Sequence, residues 1–208
     1  MFSKDIDPAD IKETYDTYTK PHPRYKIIGY KTIGAALIDL TEFPNRGAYL
    51  ERIKGKNQGG YHAKRARGRG YVVRDIDFNA YVDDIHDINT SLDTRQGRPM
   101  DEKYLAKQER FETQKHFRYL GVLNPQGKLV AYATFGIYGN FASFSQLIGV
   151  RNNDGIMHLL LSEAVCLLID SGEVRYIMYD TFFGAQPGLR NFKTILGFRP
   201  YRASYKLQ

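Results

Sequence analysis

The stretch that most limits what this chain can fold into runs from Gly172 to Phe198. Within it, Val174 to Tyr179 is rich in aromatic and β-branched residues and is bounded by Ser171-Gly172 before it and by Asp180 and a Gly/Pro loop after it. That is the pattern of a largely buried strand, and it delivers Asp180 to the strand end. Gly184, Pro187 and Gly188 cannot continue a strand. Leu189 to Leu196 then has helical spacing, with Leu189, Phe192, Ile195 and Leu196 on one face, until Gly197 stops it. A strand, a glycine loop, a short helix, a glycine stop and a returning strand are expected in that order.

Tyr179-Asp180, Gly184, Gly188, Phe192-Lys193 and Leu196-Gly197-Phe198, with a closing strand expected over Tyr201 to Leu207, resemble the C-terminal part of the GNAT acyltransferase superfamily. Within it they are most similar to the FemAB-like aminoacyltransferases. From Tyr71 onward the resemblance extends only to the order of elements. It implies an α/β (α+β) fold, a mixed twisted sheet flanked by helices, with residues 59–208 as the transferase domain; residues 1–58 lie outside the resemblance and are expected to form a helical extension or lid.

The length of 208 residues allows one domain with a sizeable core, and 42% hydrophobic residues is ordinary globular usage, so disorder is excluded. The one cysteine, Cys166, sits in the apolar run Ala164 to Ile169 and reads as a small core residue, which fits a reducing, cytoplasmic setting. No leader is recognisable and no apolar run approaches the roughly 20 residues of a membrane span, so no membrane partner is expected. The composition leaves the oligomeric state open.

Charge is unevenly spread. Arg52, Lys54, Lys56, Lys64, Arg65, Arg67, Arg69 and Arg74 form a segment without one acidic residue, while the whole chain carries only +7. Such a field attracts a polyanion, and the rings of Tyr61, His62 and Tyr71 interleave with it. Lys64, Arg65, Arg67, Arg69, Tyr61 and His62 are therefore candidate nucleic-acid contacts, tRNA or DNA, from a glycine-rich basic loop. The bland reading is a solvated charged loop.

Along the rest of the chain, Asp7-Pro8 opens a helix reaching Tyr18. Ile33 to Leu40 and Tyr49 to Ile53 read as helix interrupted at Pro44, and Tyr71 to Arg74 as a strand. Phe78 to Leu92 has an amphipathic helical pattern, and Met100 to Phe111 a second one. The polar stretch between them is a loop, with Arg95 and Arg98 as candidate acceptor contacts. Tyr119 to Leu123 and Lys128 to Tyr138 flank an Asn-Pro-Gln-Gly turn as a hairpin, followed by a strand over Phe141 to Val150 and an apolar helix over Gly155 to Ile169.

The loop before that helix, Arg151-Asn152-Asn153-Asp154-Gly155, stands where the resemblance implies a donor site. Helix N-termini offer unsatisfied amides and a positive dipole end to anions. Here Arg151 fits the acetyl-CoA pattern, but the glycine comes one residue late and Asp154, which reads as the helix N-cap, is negative. The donor is thus either an acyl-CoA or, as the FemAB-like resemblance implies, an aminoacyl-tRNA, with an amine-bearing acceptor. Asp180 is a candidate proton acceptor or a turn cap, and Tyr179 a candidate proton donor or a core-rim contact. Lys193 is a candidate stabiliser of the reacting carbonyl by resemblance, or a solvated helix residue. The five histidines lack metal-ligand spacing, so no metal is expected, and His158 reads as a satisfied core residue. Three functions remain open: acyl or aminoacyl transfer to an amine, modification of a DNA or RNA base by a phage-type enzyme of GNAT fold, and nucleic-acid binding without catalysis on a degenerate transferase scaffold.

Overall fold

The computed structural model describes residues 1–92, 94, 95 and 98–208. The side chains of Arg95 and Arg98, the expected acceptor contacts, lie outside the described residues. The helices are α1 (Pro8–Thr19), α2 (Arg46–Arg52), α3 (Gly59–Gly68), α4 (Val82–Thr90), α5 (Glu102–Leu105), α6 (Ile156–Ser171) and α7 (Pro187–Ile195). The strands are β1 (Ile33–Asp39), β2 (Val72–Asp75), β3 (Thr94–Arg95), β4 (Arg98–Pro99), β5 (Phe117–Leu123), β6 (Leu129–Ile137), β7 (Phe141–Gly149), β8 (Tyr176–Thr181) and β9 (Arg199–Arg202).

Seven strands make one mixed sheet in the order β2-β5-β6-β7-β8-β1-β9, while β3 and β4 pair only with each other. Every neighbouring pair in the large sheet is antiparallel except β7 and β8, which are parallel and joined through α6. This is the expected β-α-β crossover. β6 is buried on both faces from Leu129 to Gly136, so it reads as a nearly continuous apolar run. On one face Leu160, Ala164, Val165 and Leu168 of α6 join Leu120, Ala131 and Phe144 of the sheet in the largest core, to which Leu196 and Phe198 also belong. On the other face Ile85 and Ile88 of α4 meet Tyr132 and Ile148, and Ile11 of α1 shares a cluster with Phe2, Phe141 and Met178. Cys166 is buried in the α6 core, where burial pushes its thiol up to about 11, the behaviour of a packing residue. No helix among the described residues is long and apolar enough to cross a membrane.

Several elements differ from expectation for identifiable reasons. Ile33 to Leu40 is not helical: it becomes β1, which lies between β8 and β9 and pairs with both. A short buried apolar run has no periodicity to separate the two states, and sheet pairing decides. Residues 1–58 thus place a strand inside the sheet completed by residues 59–208. The basic segment is not a glycine loop but contains helix α3, with Ala63 and Ala66 buried in the α6 core. Two of its glycines serve close contact: a Cβ on Gly59 would sit 2.5 Å from Leu196 Cδ2, and one on Gly60 would sit 2.8 Å from the Ile53 carbonyl oxygen.

The second expected helix shrinks to the four residues of α5. Beyond it, Asn79 clamps the Phe111 backbone from both sides, its Oδ1 accepting from the amide at 2.8 Å and its Nδ2 donating to the carbonyl at 3.2 Å. The closing strand is β9, earlier than expected, and Leu207 instead bridges to Phe2. Finally, Gly155, not Asp154, is the N-cap residue of α6, in a left-handed conformation with φ +88°.

Candidate active site

The site follows from how far two strands agree. β7 and β8 stay in parallel register for three pairs only, Phe141 with Tyr176, Ala142 with Ile177 and Ser143 with Met178. Further on, the β6–β7 ladder shifts register between Phe144 and Gln146, while β8 continues beside β1 as far as Thr181. The two strands splay, and an open cleft of about 490 Å³ forms there. Leu147, Ile156, Leu189 and Phe192 give it an apolar lining, and α6 begins in its wall. Gly155 offers no side chain to cap the helix, so the first amides of α6 face this region uncapped by any side chain.

Helix α3 closes the other side of the loop. A Cβ on Gly155 would lie 2.4 Å from the His62 carbonyl oxygen, so only glycine fits, and its positive φ makes the same demand. Arg65 donates from its guanidinium to the Asn153 carbonyl. Asn152 Oδ1 accepts from the Asp154 amide at 3.1 Å. The Asp154 carboxylate is turned away from the helix end, ion-paired with Arg69 and accepting from the Tyr71 hydroxyl at 2.7 Å.

The expected site residues thus separate into two groups. Arg151, Asn152, Asn153, Gly155, His62, Arg65 and Tyr179 all line the one cleft. Asp180 and Lys193 do not. Asp180 is half exposed near the end of β8 in a left-handed conformation with φ +53°, ion-paired with Lys31. Lys193 is fully buried, not a solvated helix residue. Its Nζ donates to the Thr181 carbonyl at 2.9 Å and lies 4.6 Å from the centre of the Tyr179 ring, whose residue forms part of the cleft lining. Burial pushes the Lys193 amine down to about 8, with the negative charge of Asp180 opposing the shift. Of the remaining basic segment, Arg67 is ion-paired with Glu163 on α6, while Lys64 and Tyr61 are exposed.

His158 departs from its sequence reading. It lines the cleft at the third position of α6, stacked on His62 with ring centroids 4.5 Å apart and edge-on to Phe192 at 4.8 Å. Its Nδ1 is buried without a hydrogen-bond partner among the described residues. Burial, and after it the charges of His62 and Arg65, push its imidazolium down to about 4, so the ring is neutral at pH 7. The sequence did contain a signal: His158 falls in the first turn of the helix that follows the Arg151 loop.

No protein-family model matches the chain, and neither does any curated protein sequence. Solved structures do. FemX superposes with a TM-score of 0.61 at 10% identity, covering 81% of this chain and 59% of FemX. The C-terminal domain of a putative lysylphosphatidylglycerol synthetase from Agrobacterium fabrum gives 0.52 at 17% identity, covering 80% of this chain and 57% of that one. A tandem GNAT protein from the clavulanic acid biosynthesis pathway gives 0.50 at 17% identity, covering 81% and 51%. This chain therefore spans less than two thirds of each of these structures. At such identities the shared property is the fold, which this chain has in common with FemX and with the tandem GNAT protein.

Proposed function

We propose that this protein transfers an acyl group to an amine, and that the group is an aminoacyl ester carried by tRNA. The observation that carries the finer part is the occupation of the space around the α6 N-terminus. A coenzyme A pyrophosphate needs small residues and free backbone at that turn. Here the His62 carbonyl abuts Gly155, Arg65 holds the Asn153 carbonyl, and Asp154 adds a carboxylate already paired with Arg69. The cleft beyond remains open and apolar enough for an aminoacyl group.

In this reading the uncapped start of α6 and Arg151 face the donor, and Tyr179 flanks the reacting carbonyl. Lys193 acts from behind the cleft wall, as a charge beneath the Tyr179 ring, and Asp180 with Lys31 sets the field at the end of β8. Lys64 and Tyr61, exposed on α3, are the contacts left for the nucleic-acid part of the donor. The amine attacks while donor and acceptor are held in line, with no covalent intermediate on the protein.

The test supplies tRNA charged with a radiolabelled amino acid, in parallel with labelled acetyl-CoA, and a mixture of small primary amines and peptides as acceptors. Label passing from the tRNA into a base-stable amide is the expected result. Transfer from acetyl-CoA alone would replace the tRNA donor with a thioester. Altered nucleosides in the tRNA without amide formation would favour base modification.

A further inference from the structure

We propose that His158 is a catalytic hydrogen-bond donor of this site, presenting a neutral Nε2–H to the carbonyl oxygen of the acyl donor. The role rests on the acyl-transfer reading above. Three observations independent of one another support it. The ring belongs to the wall of the cleft at the splay of β7 and β8, where an acyl carbon in reach of an attacking amine has to sit. It is fixed in orientation, stacked on His62 and held at its edge by Phe192. Its Nδ1 is shut away from solvent without a hydrogen-bond partner among the described residues. A bare ring nitrogen tolerates such burial better than an orphaned N–H, so the proton belongs on Nε2.

Position on the helix favours the same state. His158 lies in the first turn of α6, where the positive end of the dipole disfavours a second proton on the ring. The charged and titratable groups facing it act likewise: His62 and Arg65 from α3 both depress its protonation, and Tyr179 and Phe192 from the other wall bring no carboxylate. An imidazole whose conjugate acid titrates near 4 is too weak a base to deprotonate an amine. A neutral imidazole at a helix N-terminus is instead suited to polarising a carbonyl.

The step balances without a proton passing through the ring. The amine nitrogen forms a bond to the acyl carbon, the carbonyl π pair moves onto oxygen, and that oxygen accepts the hydrogen bond from Nε2. The pair then returns, the carbon–oxygen bond of the donor ester breaks, and the proton lost by nitrogen ends on the departing ribose oxygen. His158 finishes as it began.

Two measurements test this. Long-range 1H–15N correlation spectra of the labelled full chain report the tautomer without any substrate. The expected result is an Nε2–H ring that stays neutral from pH 8 down to about pH 5, and an Nδ1–H tautomer, or protonation near the ordinary 6.5, overturns the proposal. Transfer from charged tRNA is then compared in His158→Phe, which keeps a ring but no donor, and His158→Gln, which keeps an amide donor. A loss of roughly 10²- to 10³-fold in kcat is expected for the first, with the second within about tenfold of wild type. Should the phenylalanine variant fail to fold, the glutamine variant and the spectra still decide. Equal rates in wild type and His158→Phe overturn the role of His158 alone, whereas a wild-type protein that transfers from neither tRNA nor acetyl-CoA overturns the acyl-transfer reading itself.

Discussion

The two walls of the cleft are built by different means. The wall of β7, α6 and α3 sets the His158 ring among backbone features: an uncapped helix start, a left-handed glycine and a loop held by Arg65 and Arg69. The wall of β8 and α7 is made of side chains, with Tyr179 and Phe192 at the cleft and the buried Lys193 amine behind them. Backbone geometry fixes the position of this wall, with His158 as its proposed catalytic group. A buried lysine, by contrast, has its pKa shifted by its surroundings, so the β8 wall is where one substitution changes charge, packing and stability together.

The largest effect should therefore come from Lys193→Ala. It removes a fully buried side chain and leaves the Thr181 carbonyl without its donor, at a cost of about 2 to 5 kcal/mol by denaturant unfolding. Lys193→Met fills most of the volume and should unfold much less readily, while both variants lose about 10²-fold in turnover if the charge acts on the reaction. Equal activity in Lys193→Met and wild type would confine Lys193 to packing.

The titration of Lys193 separates the walls further. Unfolded, the amine titrates at its ordinary 10.5, and folded at about 8. Between those values the unfolded chain holds more protons, so stability rises with pH from about 8 towards 10, by about 2 to 3 kcal/mol, and is lost as pH falls through 8. Above 10, Tyr49 and Tyr205, whose hydroxyls are pushed up chiefly by burial, contribute the opposite slope. Lys193→Met should flatten the rise between pH 8 and 10, and an unchanged profile would assign that slope to another group.

On the backbone wall, Gly155→Ala forces a Cβ against the His62 carbonyl at a positive φ and should cost about 2 kcal/mol or more. A fully stable Gly155→Ala would mean that α3 can withdraw, reopening room for a pyrophosphate. The smallest effects lie on the outer face of α3. Arg67→Ala loses a partly exposed ion pair with Glu163, under about 1 kcal/mol, and should leave nucleic-acid affinity unchanged. Lys64→Ala should leave stability alone and lower the log–log salt slope of tRNA binding by about 0.7 to 0.9. The reverse pattern would exchange the roles of the two residues.

What was legible in the sequence divides along the same line. The parallel pair around α6, the hairpin and the β8-to-α7 unit were readable, because each pairs a hydrophobic run with its own glycine or proline punctuation. β1 was not, since Ile33 to Asp39 carries no period and its state is decided by partners more than a hundred residues away. The basic segment was legible in charge but not in form. Arginines at 65, 67 and 69 look alike in sequence, yet one holds the Asn153 carbonyl, one pairs with Glu163 and one with Asp154. Tertiary partners, invisible locally, likewise decide that Lys193 is buried, that Asp180 pairs with Lys31 outside the cleft, and that His158 faces it.

The central claim, an aminoacyl donor bound where a coenzyme A would otherwise sit, is tested most directly by amide shift perturbation at Arg151 to His158. A non-hydrolysable 3′-aminoacylamino-adenosine and acetyl-CoA are titrated separately into the labelled protein. The account predicts saturable shifts at Gly155, Ile156 and His158 with the adenosine analogue, and none there with acetyl-CoA. Saturable shifts with acetyl-CoA at micromolar concentration, and none with the analogue, would contradict it.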